Sequence, residues 1–333
     1  MNYAIIGFGG LGKLHFSDTA EIKSKAEDVK LVAICDVDET KFVTKTETNL
    51  GGGNDKLDLS AYNLYTDVEE MLKKERLDFV ITALPTYLHE KIAVKVMEYG
   101  VNVFSEKPIA INLEQAQNMI DTSKKYNVKL MIGQCVRYFP EYRILKEMID
   151  SEKYGRVISA DFWRLSQTPT WSWQNWMLDE EKSGGAALDL HIHDVDFIHY
   201  VFGKPKAVTS RAANTDTKHD SISTIFDYDN MFVTATGAWG LKAKYPFTVG
   251  FTVRFENATL EYKNGALTLY TDTEETEIEI PKENGYVSEI VDFIDCIKNN
   301  RESKINTPET AKLSIEIGIA EKISADRCET VIL

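Results

Sequence analysis

The chain lacks several features that would decide its class at once. It has no uninterrupted run of about eighteen apolar residues, so the sequence predicts no membrane-spanning helix. It has no basic leader followed by a cleavable apolar core. A strand pattern begins almost at the first residue, which leaves little room for a signal peptide. Its four cysteines, Cys35, Cys135, Cys296 and Cys328, follow no metal or redox spacing. Free, mostly buried thiols in a reduced, cytoplasmic setting are expected. Positive charge is scarce: 38 Lys and Arg stand against 52 Asp and Glu, a net charge of −14. A nucleic-acid backbone binder needs a basic face, so that class is set aside, while a small anionic ligand is not. No internal repeat is visible, and Gly51–Gly53 reads as a loop.

What remains is a chain of 333 residues, long enough for two domains, with 43% hydrophobic and 27% charged residues. Residues 2–12 run from an apolar strand into Gly7-Phe8-Gly9-Gly10-Leu11-Gly12. The first glycine of such a Gly-x-Gly-x-x-Gly loop permits a tight turn. The second lets backbone N–H groups approach a pyrophosphate, and the third lets the next helix pack closely. Phosphates then rest on a helix N-terminus, where unpaired N–H groups and the dipole favour anions. Residues 13–26 suit a helix, and the strand Lys30–Cys35 ends in Asp36, roughly 24 residues beyond Gly12, placed for a ribose diol.

The first 133 residues alternate strand and helix. Strands are expected at Ala4–Gly7, Lys30–Cys35, Asn63–Tyr65, Phe79–Ala83, Asn102–Ser105 and Lys129–Gly133. Helices are expected over 13–26, 38–49, 67–75, 87–99 and 112–126, with Asp67 and Asn112 as N-caps and Gly100 as a stop. This predicts an α/β domain, a doubly wound parallel Rossmann sheet, over 1–133. After a helix at 140–150, short strands dominate from Arg156 to Ile280, and helices near 287–299 and 308–324 close the chain. The second domain, 134–333, is therefore expected to be α+β, built on a large, mainly antiparallel open sheet.

Three further segments carry candidate chemistry. Glu106-Lys107-Pro108 follows a strand, at the sheet edge where ligands bind. The Lys107 ammonium there is placed to donate to a substrate hydroxyl, although a surface lysine in a turn gives the same pattern. In Gly184-Gly185-Ala186-Ala187-Leu188-Asp189-Leu190-His191-Ile192-His193-Asp194-Val195-Asp196, a continuous helix would set Asp189 and His193 four apart. The carboxylate would hold the imidazole, which would take a hydroxyl proton. An ordinary surface ion pair is the alternative. His191 and His193 are two apart and face different ways on a helix, so no metal is expected. Arg137 and Tyr138, after the last Rossmann strand, are expected at the cleft, holding polar substrate groups or the nicotinamide ribose. Trp171, Trp173 and Trp176 form a cluster that reads equally as a sugar-facing wall or as core and subunit contact.

Taken together, these motifs, with Ile81-Thr82-Ala83-Leu84-Pro85-Thr86-Tyr87-Leu88-His89, resemble the glucose–fructose oxidoreductase and inositol dehydrogenase family through nearly the whole chain. The resemblance implies an NAD(P)-dependent oxidoreductase acting on a sugar, inositol or related polyol. It implies Lys107 as substrate anchor before a cis proline bond, Asp189 as orienting acid and His193 as general base. Substrate would meet Lys107, Arg137, Trp173, Asp189 and His193. Thr82, Ala83, Leu84, Pro85 and His89, with Glu106 and Lys107, would line the coenzyme. His191 stands where many relatives carry a small residue, and would widen or polarise the substrate side. Asp36, with no Arg or Ser after it, would repel a 2′-phosphate, so NAD is expected over NADP. The strands beyond 205 outnumber the helices able to cover them, which predicts a homodimer or homotetramer through the C-terminal sheet. An NAD-dependent glycoside-cleaving enzyme using transient oxidation, and a non-catalytic dinucleotide or sugar sensor, are the competing classes. Retention of Lys107, Asp189 and His193 together argues against the sensor.

Overall fold

The computed structural model describes residues 1–44 and 57–333; Gly51–Gly53 and the end of the expected 38–49 helix lie outside the described residues. Two compact units form. The first comprises Met1–Gln134, Trp171–Trp176 and Tyr286–Lys312, and the second Cys135–Thr170, Met177–Gly285 and Leu313–Leu333.

In the first unit, β1 (Asn2–Ile6), α1 (Gly10–Ser17), α2 (Thr19–Lys25), β2 (Lys30–Cys35), β3 (Asn63–Tyr65), α3 (Val68–Lys74), β4 (Phe79–Thr82), α4 (His89–Glu98), β5 (Asn102–Glu106), α5 (Leu113–Tyr126) and β6 (Leu130–Gly133) follow one another. All strand pairs are parallel and the order is β3-β2-β1-β4-β5-β6. Parallel strands covered on both faces need unbroken apolar runs, and β4 and β6 are buried along their whole length. Helix starts follow their caps: Asp67 accepts from Glu70 N and Asn112 from Gln115 N. Gly100 has φ +75° just past α4, as a left-handed stop requires. The expected 13–26 helix is divided at Asp18 into α1 and α2. The core joins Tyr3, Ile5, Phe79, Ile81 and Phe104 to Val287, Ile290 and Phe293, so a helix from the end of the chain covers this sheet.

The second unit runs through α6 (Pro140–Ser151), β7 (Val157–Gln167), α7 (Glu180–Ser183), α8 (Gly185–Asp189), α9 (Ile192–Phe202) and β8 (Ala207–Ala213). It continues with β9 (Ser221–Asp227), β10 (Phe232–Leu241), β11 (Thr248–Phe255), β12 (Thr259–Lys263), β13 (Ala266–Tyr270) and β14 (Glu275–Ile278). The helices α10 (Gly285–Lys298) and α11 (Pro308–Arg327) and the short strand β15 (Val331–Ile332) complete the chain. The nine strands order as β14-β13-β12-β11-β7-β10-β9-β8-β15. Every pair is antiparallel except β7 with β10. Strand alternation sends Phe162, Phe226, Val233, Phe251 and Leu260 inward, each at most 2% exposed. Ile225 and Phe232 point the other way and are 45% and 49% exposed.

Candidate active site

The glycine loop shows what each glycine is for. Gly7 turns the chain with φ +90°, and a Cβ there would sit 2.3 Å from the Ala83 carbonyl oxygen. A Cβ on Gly12 would meet the Gly7 carbonyl oxygen at 1.9 Å, so the third glycine makes room for the first turn itself. A Cβ on Gly9 would meet nothing within 4 Å. Gly9 is also the N-cap of α1, with no side-chain cap and no acidic residue in the first turn. By contrast, α3, α5 and α7 are capped by Asp67, Asn112 and Asp179. Gly10 and Leu11 are half-buried at this end. Phe8 does a different job. Its ring is fully buried and its N–H donates to Asp36 Oδ2 at 2.6 Å. Asp36 Oδ1 accepts from Asp38 N at 2.9 Å, so this carboxylate ties the end of β2 to the glycine loop. Open space, uncapped donors and an acid at the end of β2 together fit a dinucleotide.

Lys107 follows β5 on the same carboxyl edge of the sheet, half-buried, and its peptide bond to Pro108 is cis. Its neighbours are firmly held. Glu106 is 3% exposed, with Oε1 2.7 Å from His15 Nε2 and Oε2 accepting from Lys107 N at 3.3 Å. Pro108 presents its carbonyl to His89 Nδ1 at 2.8 Å, while His89 Nε2 lies 2.8 Å from the Leu84 carbonyl. Burial pushes the His89 imidazole below its ordinary range, against the two carbonyl oxygens that favour its charged form. His89 thus joins the Leu84-Pro85 turn to the Lys107-Pro108 turn. Ala83 N donates to Ile6 O at 2.8 Å and Thr82 Oγ1 to Phe104 O at 3.5 Å, fixing the loop after β4. Behind Glu106, Glu289 is fully buried. Burial, then the charges of Glu106 and Asp18, push its carboxyl well above the ordinary range.

In the second unit the expected single helix carrying Asp189 and His193 is two helices. Asp189 ends α8, and His193 lies in the first turn of α9. The chain widens between them, with His191 N donating back five residues to Ala186 O at 2.8 Å. Asp189 is 9% exposed and His193 half-buried. The residues beside His193 are clamped. Arg164 of β7 donates through Nε and Nη2 to Asp194, both at 3.0 Å. Arg137 donates to Asp196 at 2.8 and 2.7 Å. Ser314 Oγ adds a bond to Asp196 Oδ1 at 2.6 Å, and His199 Nε2 lies 2.8 Å from Ser314 Oγ. Burial opposes the Asp196 charge, but the Arg137 guanidinium outweighs it and holds the carboxyl at about 2. Arg137 itself is 1% exposed and stacks over Tyr200 at 4.7 Å, a structural setting the sequence reading did not expect.

His191 also departs from its expected part. It is fully buried, with Nε2 3.0 Å from Glu321 Oε1. Gly237 of β10 makes room for it: a Cβ there would lie 2.5 Å from the His191 Cβ. Burial opposes its charge, but Glu321 prevails and raises the imidazole above its ordinary range. Its Nε2 is engaged inside the unit, while its buried Nδ1 makes no hydrogen bond among the described residues. Trp173 is half-buried and opens a 3-10 turn in which Gln174 and Asn175 take left-handed φ of 52° and 54°. Among the described residues, no group of three or more His, Cys, Asp or Glu is placed to hold a metal ion. The sequence reading missed His15, Glu289 and Arg164. The available signals were a histidine on the sheet-facing side of α1 and a charged residue amid the alternation of β7.

Residues 1–134 match the oxidoreductase family model with an NAD-binding Rossmann fold, and residues 142–268 match the GFO/IDH/MocA C-terminal domain. The chain is 31% identical over 219 residues to 2,7-anhydro-N-acetylneuraminate hydratase of Mediterraneibacter gnavus, across 64% of this chain and 53% of that protein. It is 28% identical to myo-inositol 2-dehydrogenase of Thermotoga maritima, across 61% of this chain and 55% of that protein. The chain thus spans about half the length of these curated relatives. A solved NAD-binding oxidoreductase from Klebsiella pneumoniae has the same fold at a TM-score of 0.83 and 18% identity, covering 100% of this chain and 98% of that one. With both domain models matched in order along one polypeptide, the chain belongs to the GFO/IDH/MocA oxidoreductase family.

Proposed function

We propose that the protein is an NAD-dependent oxidoreductase that interconverts a secondary hydroxyl and a keto group on a sugar, inositol or related polyol. One observation carries this reading. The uncapped, acid-free N-terminus of α1 and the Lys107 turn lie on the same carboxyl edge of one parallel sheet. The N–H groups of Gly9, Gly10 and Leu11 take the pyrophosphate, and the Asp36 carboxylate takes the adenosine ribose diol. A bound nicotinamide supplies the hydride-accepting carbon. The Lys107 ammonium donates to the substrate hydroxyl oxygen and stabilises it as its proton leaves. His193 takes that proton, and Asp189 fixes the imidazole. Arg137 is a positioning residue that holds the first turn of α9 through Asp196. Trp173 is kept as a sugar-facing surface.

Asp36 favours NAD, since a carboxylate repels a 2′-phosphate. Lys13 lies close enough to both Lys41 and Asp36 to interact with each, so NADPH is the control ligand. A titration in which NADH binds tighter than NADPH supports the reading, and the reverse order overturns it. A screen of inositols, aldoses and sugar phosphates with NAD, followed at the absorbance of reduced nicotinamide, tests the activity. His193→Asn should abolish turnover and leave NADH affinity within about threefold. A variant that still turns over removes His193 from the role.

The relative named as a hydratase supports a second reading, in which oxidation is transient and elimination follows. Release of free sugar from an aryl glycoside without net NADH would select it. The open face of the nine-stranded sheet, with Ile225 and Phe232 exposed, supports a homodimer or homotetramer, which sedimentation velocity tests. No described helix is long and apolar enough to cross a membrane. All four cysteines are free and three are buried, which supports a reduced, cytoplasmic setting.

A further inference from the structure

His15 takes no part in the scheme above, yet it is fully buried on the helix that begins at the glycine loop. Its Nε2 lies 2.7 Å from Glu106 Oε1, and its Nδ1 makes no hydrogen bond among the described residues. Glu106 is thus its one polar attachment. The ring is wedged edge-on between Phe104 and Tyr286, with centroids at 6.1 and 6.4 Å, and so has little freedom to turn away. In the sheet order β1 and β5 are separated by β4, a span of about 10 Å at ordinary strand spacing. The imidazole crosses that span from α1 to the end of β5. At its far side Glu106 Oε2 accepts from the backbone N–H of Lys107. A Cβ at Gly133 would press on the same carboxylate at 3.0 Å, so Glu106 is also confined from β6. Acids crowd here, since Glu106 and Asp18 both act on the buried Glu289. Without the imidazole, Glu106 would face the Glu289 carboxyl without the His15 contact, and its present rotamer would lose that anchor.

We propose that His15 is a positioning residue: a strut that, through Glu106, fixes the Lys107 backbone against the same helix whose N-terminus receives the coenzyme phosphates. This rests on the reading of Lys107 as substrate anchor. The strut sets the ammonium to the coenzyme rather than to the strand end alone. Its loss therefore affects turnover more than coenzyme affinity.

The test uses the full chain with NAD and a panel of myo-inositol, scyllo-inositol, glucose and glucose 6-phosphate. His15→Leu keeps the volume and removes the donor. His15→Gln keeps a terminal amide N–H near the position of Nε2. Lys107→Met is the control. For a polyol that the wild type oxidises, His15→Leu should lower kcat by about 10- to 100-fold, as an ångström-scale misplacement does. Its NADH dissociation constant should stay within about threefold of wild type, and His15→Gln should recover most of the lost kcat. A purely structural role predicts instead equal losses in Leu and Gln, tracking the melting temperature. Unchanged kcat in folded His15→Leu, with Lys107→Met inactive, overturns this inference alone. Wild-type turnover in Lys107→Met overturns the reading of Lys107 and the strut with it, as does a panel in which nothing is oxidised. Should His15→Leu fail to fold, Glu106→Gln decides: kcat reduced about tenfold with NADH affinity retained supports the strut, and unchanged kcat refutes it.

Discussion

Around Glu106, the carboxyl groups of Glu106 and Asp18 act on the buried Glu289, and the His15 imidazole lies 2.7 Å from Glu106. Around α9, Asp194 and Asp196 each have a guanidinium of their own. Both clusters are buried, so the solvent penalty on charge is similar. The outcome is opposite because the balance of charge is opposite. Glu289, buried and with acids for neighbours, is pushed up, while Asp196, with Arg137 bidentate upon it, is held down at about 2. The two units thus fix a proposed reactive side chain through its sequence neighbours in different ways. In the first unit the hold on Lys107 runs through the His15–Glu106 contact and the His89 contact with Pro108, and in the second the hold on the residues beside His193 uses paired charge.

The largest effect is expected from removing one guanidinium. Arg137→Met keeps much of the bulk but leaves Asp196 buried without its cation. The expected loss is about 3–5 kcal/mol, read from urea unfolding of the second unit. Adding Asp196→Leu to it should restore part of that loss, because the orphaned charge goes too. The sign with pH follows from a depressed carboxyl. The pair's contribution is fully present above the ordinary carboxylate range and is lost as pH falls from about 4 toward about 2. A loss below about 1 kcal/mol at pH 7 would mean the pair is replaceable.

Local rules explain what the sequence makes legible and what it does not. Strand and helix positions in the first unit follow from apolar runs and from caps such as Asp67 and Asn112, which act within a few residues. The glycine loop is equally local, since Gly7 and Gly12 answer to each other across a single turn. The break between α8 and α9 was not legible, because helical spacing carries through Leu190 and His191 without interruption. What stops it is tertiary: His191 seats against Gly237 and Glu321, residues far along the chain. Likewise Arg137 and Asp196 are 59 residues apart, and nothing in either segment names the other. The parallel pairing of β7 with β10 is also long-range, a consequence of which strands fill the space between β11 and β9.

A third buried pair sets one acid against one imidazole rather than against a guanidinium. Glu321 raises the His191 imidazole above its ordinary range despite burial. A raised histidine contributes stability that is fully present below its unfolded value near 6.5. That stability is lost as pH rises through the folded one. Glu321→Gln removes the charge that sustains it. The expected cost is about 1.5–3 kcal/mol near pH 6, shrinking toward pH 9. A cost that is the same at both pH values would show that the pair acts as a neutral hydrogen bond throughout.

The smallest effect, and the one of opposite sign, belongs to Glu289. Its folded carboxyl is raised, by burial first and then by Glu106 and Asp18, while the unfolded chain releases the proton in the ordinary range. Folding therefore takes up a proton, and stability falls as pH rises from the ordinary carboxylate range toward the raised value. Glu289→Gln cannot ionise and has nearly the shape of the protonated acid. It should leave the melting temperature unchanged at pH 4 and raise it by about 2 °C at pH 8. Arg137→Met, by contrast, should lose most of its penalty on acidification. If Glu289→Gln instead destabilises the first unit at pH 8, Glu289 is ionised and paired there. The crowded acids around Glu106 would then have a positive partner besides His15, and the contrast between the two units would disappear.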